Sequence, residues 1–299
     1  MATLNNAVLT RTSARTDLGV PLAVSRAAWY LLCLLLAAFM LMPLLWMVTI
    51  ALKGDSDILQ FPPQFFPKEL HLENFVAGPK QINFYQMLGN TLIVTVLATI
   101  GSVFSSMLVG YGLARIPFPG RKIWFYVFTA SMFLPPIVGI IPLLRLYVLL
   151  GVDDTWIPLI LPAWLANPVF IFLARQYFTS IPYSLDEAAK IDGCGYFRTF
   201  FTVMLPITRP LWMTMSILAF QSIWNDYLNP LIFLTTESKF VLSLGMGSFF
   251  GGFAGVATTQ YNYYMATNLL YMLPPLLLFF LAQRYFMQGL SALGTTASR

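Results

Sequence analysis

Residues 183–210 read YSLDEAAKIDGCGYFRTFFTVMLPITRP. The charges of this island, Asp186, Glu187, Lys190, Asp192, Arg198 and Arg209, stand between two apolar segments, each long enough to cross a bilayer. Ser184 followed three residues later by Glu187 has the spacing of a capping box, which predicts a short helix from 184. Leu185, Ala188, Ala189 and Ile191 give that helix one small apolar face. Gly193 and Gly195 end it, because glycine accepts the angles of a tight reversal. A second short helix is expected over 196–204, stopping at Pro206. The stretch therefore reads as a helix–turn–helix outside the membrane, joining two spans.

The rest of the composition agrees. Of 299 residues, 58% are hydrophobic and 10% charged, and the mean hydropathy of +0.72 lies far outside the range of soluble domains. The chain has room for about six spanning helices and little else. Its net charge of +5 is small and unevenly placed, which speaks of membrane orientation and against a nucleic-acid partner. Of the two cysteines, Cys33 falls inside an apolar run and Cys194 in the charged island, so neither a disulfide framework nor a metal cluster is indicated. The chain has no G-x-x-x-x-G-K-[ST], no G-x-S-x-G and no HExxH, and its single histidine is His71. It is not read as an enzyme, and no metal or cofactor is expected on it.

Residues 1–27 read as a polar cytoplasmic tail. Uncharged or nearly uncharged runs then predict spans at about 28–52, 90–114, 123–144, 156–174, 211–234 and 263–285, within a single transmembrane domain over 28–288. Residues 289–299 remain as a second tail. Pro43 predicts a bend in the first span, and prolines 135, 136 and 142 break up the third. Gly101, Ser102, Ser105, Ser106, Gly110 and Gly112 line the second span with small and hydroxyl residues, which permit close helix approach in lipid. Lys53–Leu88 is expected as a long loop, and Thr235 to about Asn262 as a glycine-rich one. Tyr261, Tyr263 and Tyr264 fit an interfacial aromatic belt.

Lysine and arginine test this topology. Of the seventeen, all but Lys53, Lys68, Lys80, Arg145 and Lys239 fall on the side that holds 183–206 and both termini. By the positive-inside rule that side is the cytoplasm.

Glu187-Ala188-Ala189, then Gly193, then Val203-x-Leu205-Pro206, resembles the EAA loop of ABC-importer permeases. EAAKIDG with LPITRP is similar to the carbohydrate-importer branch, which includes the maltose permeases. Asn90-Thr-Leu, Tyr111-Gly-Leu-Ala-Arg115, Trp224-Asn-Asp-Tyr-Leu-Asn-Pro230 and Gln283-Arg-Tyr-Phe-Met-Gln-Gly-Leu290 extend the likeness over roughly 28–290. Val203 departs from the family's usual isoleucine and keeps its apolar character. The resemblance implies an all-α membrane protein with the type I ABC importer transmembrane fold, six spans and a cytoplasmic EAA coupling helix in the loop 183–206. It implies a bacterial or archaeal inner-membrane location and import of a carbohydrate.

The resemblance also implies partners: a second permease subunit, so a heterodimer, two ATP-binding subunits that hold ATP and Mg, and an extracytoplasmic sugar-binding protein. Contact with the ATPase falls on Glu187, Ala188, Ala189, Asp192, Gly193, Leu205 and Pro206. A loop containing Gly251, Gly252 and Phe253 is expected to face the binding protein. Independently of any resemblance, Asp226 is the one carboxylate inside an expected span, and such a residue faces protein or a water-filled path. With Asn225, Asn229 and Asn167 it could line a translocation route or anchor helix ends. An ion-coupled secondary transporter is the alternative function. It would usually carry several intramembrane ionisable groups and often internal repeats.

Overall fold

The computed structural model describes residues 22–58, 60–250 and 260–296, with side chains described between 26 and 283. Among these residues there are helices and turns and no strand. Residues up to Met47 form one compact unit and Val48–Arg299 another. The described part of the first unit is most of α1 (Leu22–Ala51), which contains Pro43 and carries no charge after Arg26 until Lys53. The helix therefore begins inside the stretch expected as a tail.

In the second unit the loop expected over 53–88 folds into α2 (Asp55–Ile58) and α3 (Asn74–Gln81), and its last residues already belong to α4 (Phe84–Arg115). Next come α5 (Arg121–Ser131), a 3-10 turn at Pro136–Gly139 and α6 (Ile140–Leu149), then α7 (Ile157–Trp164) and α8 (Pro168–Ser180). The charged island supplies α9 (Ser184–Ile191), α10 (Tyr196–Thr199), a π-turn at Phe200–Met204 and α11 (Leu205–Ile207). The chain finishes with α12 (Arg209–Trp224), α13 (Leu228–Phe233), α14 (Leu242–Ser248) and α15 (Tyr261–Thr296).

Four described stretches are long and apolar enough to cross a membrane: Arg26–Ala51, Phe84–Arg115, Ile157–Ser180 and Tyr261–Gln283. Two further candidates are bent pairs, Arg121–Ser131 with Pro136–Leu149 at 94° and Tyr196–Ile207 with Arg209–Trp224 at 81°. The break expected from the prolines of the span at 123–144 is present, and the span expected at 211–234 is interrupted. Pro135 and Pro136 break the first, since proline lacks the N–H that would continue the helix. The second ends at Trp224 and resumes at Leu228. The last helix continues to Thr296, so most of the expected C-terminal tail is helical, there being no proline after Pro275 to stop it. The expected glycine-rich loop contains the buried α14. Residues 1–21, 251–259 and 297–299 lie outside the described residues, and Gly251, Gly252 and Phe253 are among them.

α4 is the axis on which the second unit is assembled. Its 32 residues make a rod of about 48 Å, longer than the roughly 30 Å hydrocarbon core. One apolar cluster gathers Val103, Met107 and Tyr111 with Phe170, Phe178, Phe200, Leu211 and Met215 around its C-terminal half. A second gathers Met87 and Val94 with Trp224, Leu234, Leu242 and Phe249 around its N-terminal half. The expectation that small residues allow close approach holds at two glycines. A methyl on Gly110 would sit 2.5 Å from the Ala174 Cβ, and one on Gly101 would sit 2.3 Å from the Trp164 ring. Gly112 faces open space.

The polar residues of α4 serve a different need. Helix breaks expose backbone groups that lipid cannot satisfy. Ser106 Oγ accepts from Asn167 N (2.9 Å) at the α7–α8 break, and Thr91 Oγ1 accepts from Leu242 N (2.8 Å) at the start of α14. Asn90 Nδ2 donates to Ser238 O and Phe240 O, both at 2.9 Å. Beside that end of α4, Asp154 ties the α6–α7 turn to the chain after α13. Its carboxylate accepts from Thr235 N (2.8 Å), Thr236 N (3.0 Å), Thr236 Oγ1 (2.6 Å) and Lys239 Nζ (2.9 Å). These donors hold its pKa well below the usual aspartate range, the Thr236 hydroxyl and Lys239 contributing most.

Two outcomes follow. Gly110→Val should destabilise the detergent-solubilised protein by about 1–3 kcal/mol through overpacking against the α8 backbone, whereas Gly112→Ala should be neutral or slightly stabilising. Thermal melts of the two variants compare them directly. Because the folded Asp154 pKa is depressed, its stabilisation is full above the usual value of 3.8 and is lost as pH falls below it. Melting temperatures of wild type and Asp154→Asn should therefore differ by a constant amount from pH 7 to about 5 and converge in more acidic buffer.

Candidate coupling site

The helix expected at 184 is present, but its start is different. Asp186 N and Glu187 N donate to Tyr183 O (3.0 and 3.1 Å), Leu185 N reaches Pro182 O (3.4 Å), and no side chain caps the helix. The capping box is therefore corrected: the helical turn already begins before Ser184, whose side chain caps nothing at the N-terminus. Glu187 stands exposed in the first turn, where the helix dipole favours a carboxylate.

The end of α9 follows the prediction and adds detail. Gly193 takes a left-handed φ of 75°. Cys194 N then bonds Ala189 O (2.8 Å) and Gly193 N bonds Lys190 O (3.0 Å), the pair of bonds that defines a Schellman stop. Gly195 is extended, with φ −74° and ψ 169°, and contributes no left-handed turn. Pro206 does not stop the next segment as expected. The π-turn at 200–204 loosens the backbone ahead of it, and proline is tolerated in the first turn of α11, where its missing N–H is not needed. The chain bends only at Thr208, whose Oγ1 and N both return to Met204 O, at 2.9 and 3.0 Å.

These expected residues divide between two faces. Glu187, Ala188, Asp192 and Gly193 are exposed together, and Ala189 is buried toward the bundle at 5% exposure. Leu205 is half-buried and packs on the α4–α8–α12 core, with its carbonyl accepting from Trp212 Nε1 (3.2 Å). Pro206 is exposed at the bend.

What holds α9 in place is Arg115, the last residue of α4. Its side chain is 1% exposed, and Nη1 lies 2.9 Å from Asp186 Oδ2. The approach is an ion pair without hydrogen-bond alignment. Nη2 donates to Ile181 O (2.5 Å) and to Phe178 O, the last carbonyls around the end of α8. The guanidinium plane lies 4.4 Å from the centre of the Tyr183 ring. Tyr183 OH in turn donates to Ala114 O (3.2 Å), and Tyr111 OH donates to Tyr196 O (3.2 Å). One residue thus joins α4, the C-terminus of α8 and the first turn of α9. In the sequence Arg115 reads as a cytoplasmic positive charge and as the end of the family-like segment Tyr111–Arg115, with no structural role attached. Asp186 has Lys190 four residues on as a local candidate partner, so the chain gives no sign that its partner is Arg115.

The other expected polar residues are found at helix breaks. Asn167 caps α8, its Oδ1 accepting from Val169 N (2.9 Å) and Phe170 N (3.4 Å). Asp226 accepts from Asn229 N (3.2 Å) and Asn229 Nδ2 (2.7 Å), forming the turn into α13. Asn225 donates to Gln221 O (2.8 Å) and accepts from Tyr271 OH (3.2 Å). His71 contacts Glu73 at 2.5 Å, which pushes the imidazole pKa up.

A bent-helix membrane bundle that presents a short, clamped helix at one end is the architecture of a transporter's membrane-spanning subunit. The comparisons agree. Residues 102–292 match the family described as "Binding-protein-dependent transport system inner membrane component", and the chain belongs to that family. It is 35% identical to the probable ABC transporter permease protein YurM of Bacillus subtilis over 268 residues, 89% of this chain and 87% of that one. It is 31% identical to the arabinooligosaccharide transport permease AraQ of the same organism, covering 91% and 96% of the two chains. Its fold matches a chain of a bacterial ABC transporter for import of the acidic polysaccharide alginate, with a TM-score of 0.76 at 21% identity over 91% of this chain and 98% of that one. The protein is accordingly a multi-pass inner-membrane permease component.

The clamp has a measurable signature. Arg115→Met leaves the largely sequestered Asp186 carboxylate without its partner and should cost about 3 kcal/mol. Replacing both, with Arg115→Met and Asp186→Leu, should cost less than the sum of the single changes by at least about 1 kcal/mol, measured by unfolding in detergent. Additive losses would mean that the two side chains do not interact.

Proposed function

We propose that this chain is one of two membrane-spanning subunits of an ATP-driven, binding-protein-dependent carbohydrate importer. The observation that carries the coupling role is α9 itself. It offers an exposed Glu187 and small Ala188 on one side and is tied on the other, through Asp186 and Arg115, to α4, the helix around which both apolar clusters of the second unit gather. Six spans, counting each bent pair as one, would pack against a second permease. α9 and both termini would lie in the cytoplasm, a placement supported by the lysine and arginine distribution. Carbohydrate as the substrate class is supported by the transport named for AraQ and by the alginate importer with the same fold.

Two ATPase subunits carrying ATP and Mg would grip α9, with Asp192, Gly193, Leu205 and Pro206 forming the rest of the docking element. Closure of the ATPases would displace α9, and the clamp would carry that displacement into α4. A binding protein would deliver the sugar to the opposite end. Asn225 and Asn167, exposed at helix breaks, are the polar groups that this half would offer to the path, and Asp226 with Asn229 would hold its bend. An ion-coupled secondary mechanism is disfavoured by membership of a binding-protein-dependent family.

Tagged chain purified gently from native membranes should bring a second permease and a P-loop ATPase with it, identified by mass spectrometry. Glu187→Lys should leave the chain in the membrane at normal abundance, reduce sugar uptake at least about tenfold and weaken ATPase co-purification, since a charge reversal at a docking contact costs several kcal/mol. Normal uptake by that variant would remove Glu187 from the coupling site.

A further inference from the structure

Between α9, α10 and the end of α4 lies a cavity of about 410 Å³. Arg115, Arg121 and Lys190 supply three positive charges to its wall, and Asp186 is the one acidic residue lining it. Asp186 is matched by Arg115 at 2.9 Å, so the positive charge in excess belongs to Arg121 and Lys190. Neither is strongly engaged by the protein. Arg121 Nη1 makes two stretched contacts, both at 3.5 Å, to Ala114 O and Ile116 O. Lys190 Nζ lies 5.9 Å from the centre of the Tyr196 ring. A cavity of this kind suits a compact anion with several oxygens, because guanidinium and ammonium groups both donate to phosphate.

A second feature adjoins it. An apolar groove of about 260 Å³ is lined by Leu108, Val109, Ile116, Phe197 and Phe200, and it shares Tyr111 and Tyr196 with the basic cavity. Leu108 precedes Arg115 by about two turns of α4, so the groove leads roughly 10 Å from the cavity toward the middle of the span. Phe197 is 75% exposed beside it. A free anion would leave this apolar surface unused. An anionic headgroup attached to a hydrocarbon chain matches both parts and the direction between them, since basic pockets at helix ends near the membrane surface attract acidic lipid headgroups.

We propose that this end of the protein holds an anionic glycerophospholipid, with its phosphate in the basic cavity beneath α9 and one acyl chain in the adjoining groove. The lipid would sit against the back of the helix that the ATPase grips, and its headgroup would reinforce the packing of α9 and α10 on α4. The proposal concerns binding alone, so its test does not depend on the transport assignment.

The full-length chain, purified and delipidated in a mild detergent, is titrated with phosphatidylglycerol and, separately, with phosphatidylcholine, and bound lipid is counted by native mass spectrometry. Phosphatidylglycerol should bind at least about tenfold more tightly. The double variant R121Q/K190Q, altered at a half-buried and an exposed position, should lose about fivefold for each charge removed. Val109→Trp, which fills the groove, should weaken phosphatidylglycerol as well. Equal affinity for the two lipids, or unchanged phosphatidylglycerol binding by R121Q/K190Q, would overturn the proposal. Inorganic phosphate displacing phosphatidylglycerol at equal concentration would also overturn it and assign the cavity to a free anion.

Discussion

A guanidinium in the interior cannot be left alone. Arg115 is buried at the tip of an otherwise uncharged helix, and isolating its charge from water would cost far more than any single packing contact returns. The structure meets that requirement by bringing to it the carbonyls of Phe178 and Ile181, the carboxylate of Asp186 and the face of Tyr183. Those four groups belong to the end of α8, the turn after it and the start of α9. Satisfying one side chain therefore places the short helix against the long one, and the placement is specific because a guanidinium donates in fixed directions.

The same logic operates along the remainder of α4. A bundle of broken helices in lipid needs a donor or acceptor at each break, and water cannot supply one. Asn90, Thr91 and Ser106 do so from a single rod, on faces where Gly101 and Gly110 also let neighbouring elements come close. Bent helices and a hydroxyl-rich central helix are thus two halves of one solution. Bent helices also give a transporter places to pivot, and the 81° bend at Thr208 lies within the charged island, near its end.

Much of this was legible in the chain. Membrane insertion follows from hydropathy, and the short helix and its glycine stop follow from local spacing. Both are short-range effects: transfer free energy is summed over a window of residues, and a left-handed turn needs a glycine within one or two positions. Gly193 behaves as its neighbours predict for that reason. The approach at Gly110 was foreseeable in kind, since a missing Cβ invites a neighbour, although nothing in the chain says that the neighbour is Ala174.

Tertiary contacts decided what no window could contain. Asn167 caps α8 through its own neighbours, but that its backbone N–H at the break is met by Ser106, sixty-one residues away, is decided only by packing. The failure of the Ser184 cap, by contrast, is local: its neighbours Pro182 and Tyr183 open the helix earlier. The role of Arg115 lies furthest from local reading, since Asp186 and the carbonyl partners are separated from it by more than sixty residues of chain. By itself the sequence determined that this is a helical membrane protein with a short charged helix outside the lipid. Only the packed structure decided which buried charge holds that helix, because pairing a charge is a long-range demand that any distant partner of the right chemistry can meet.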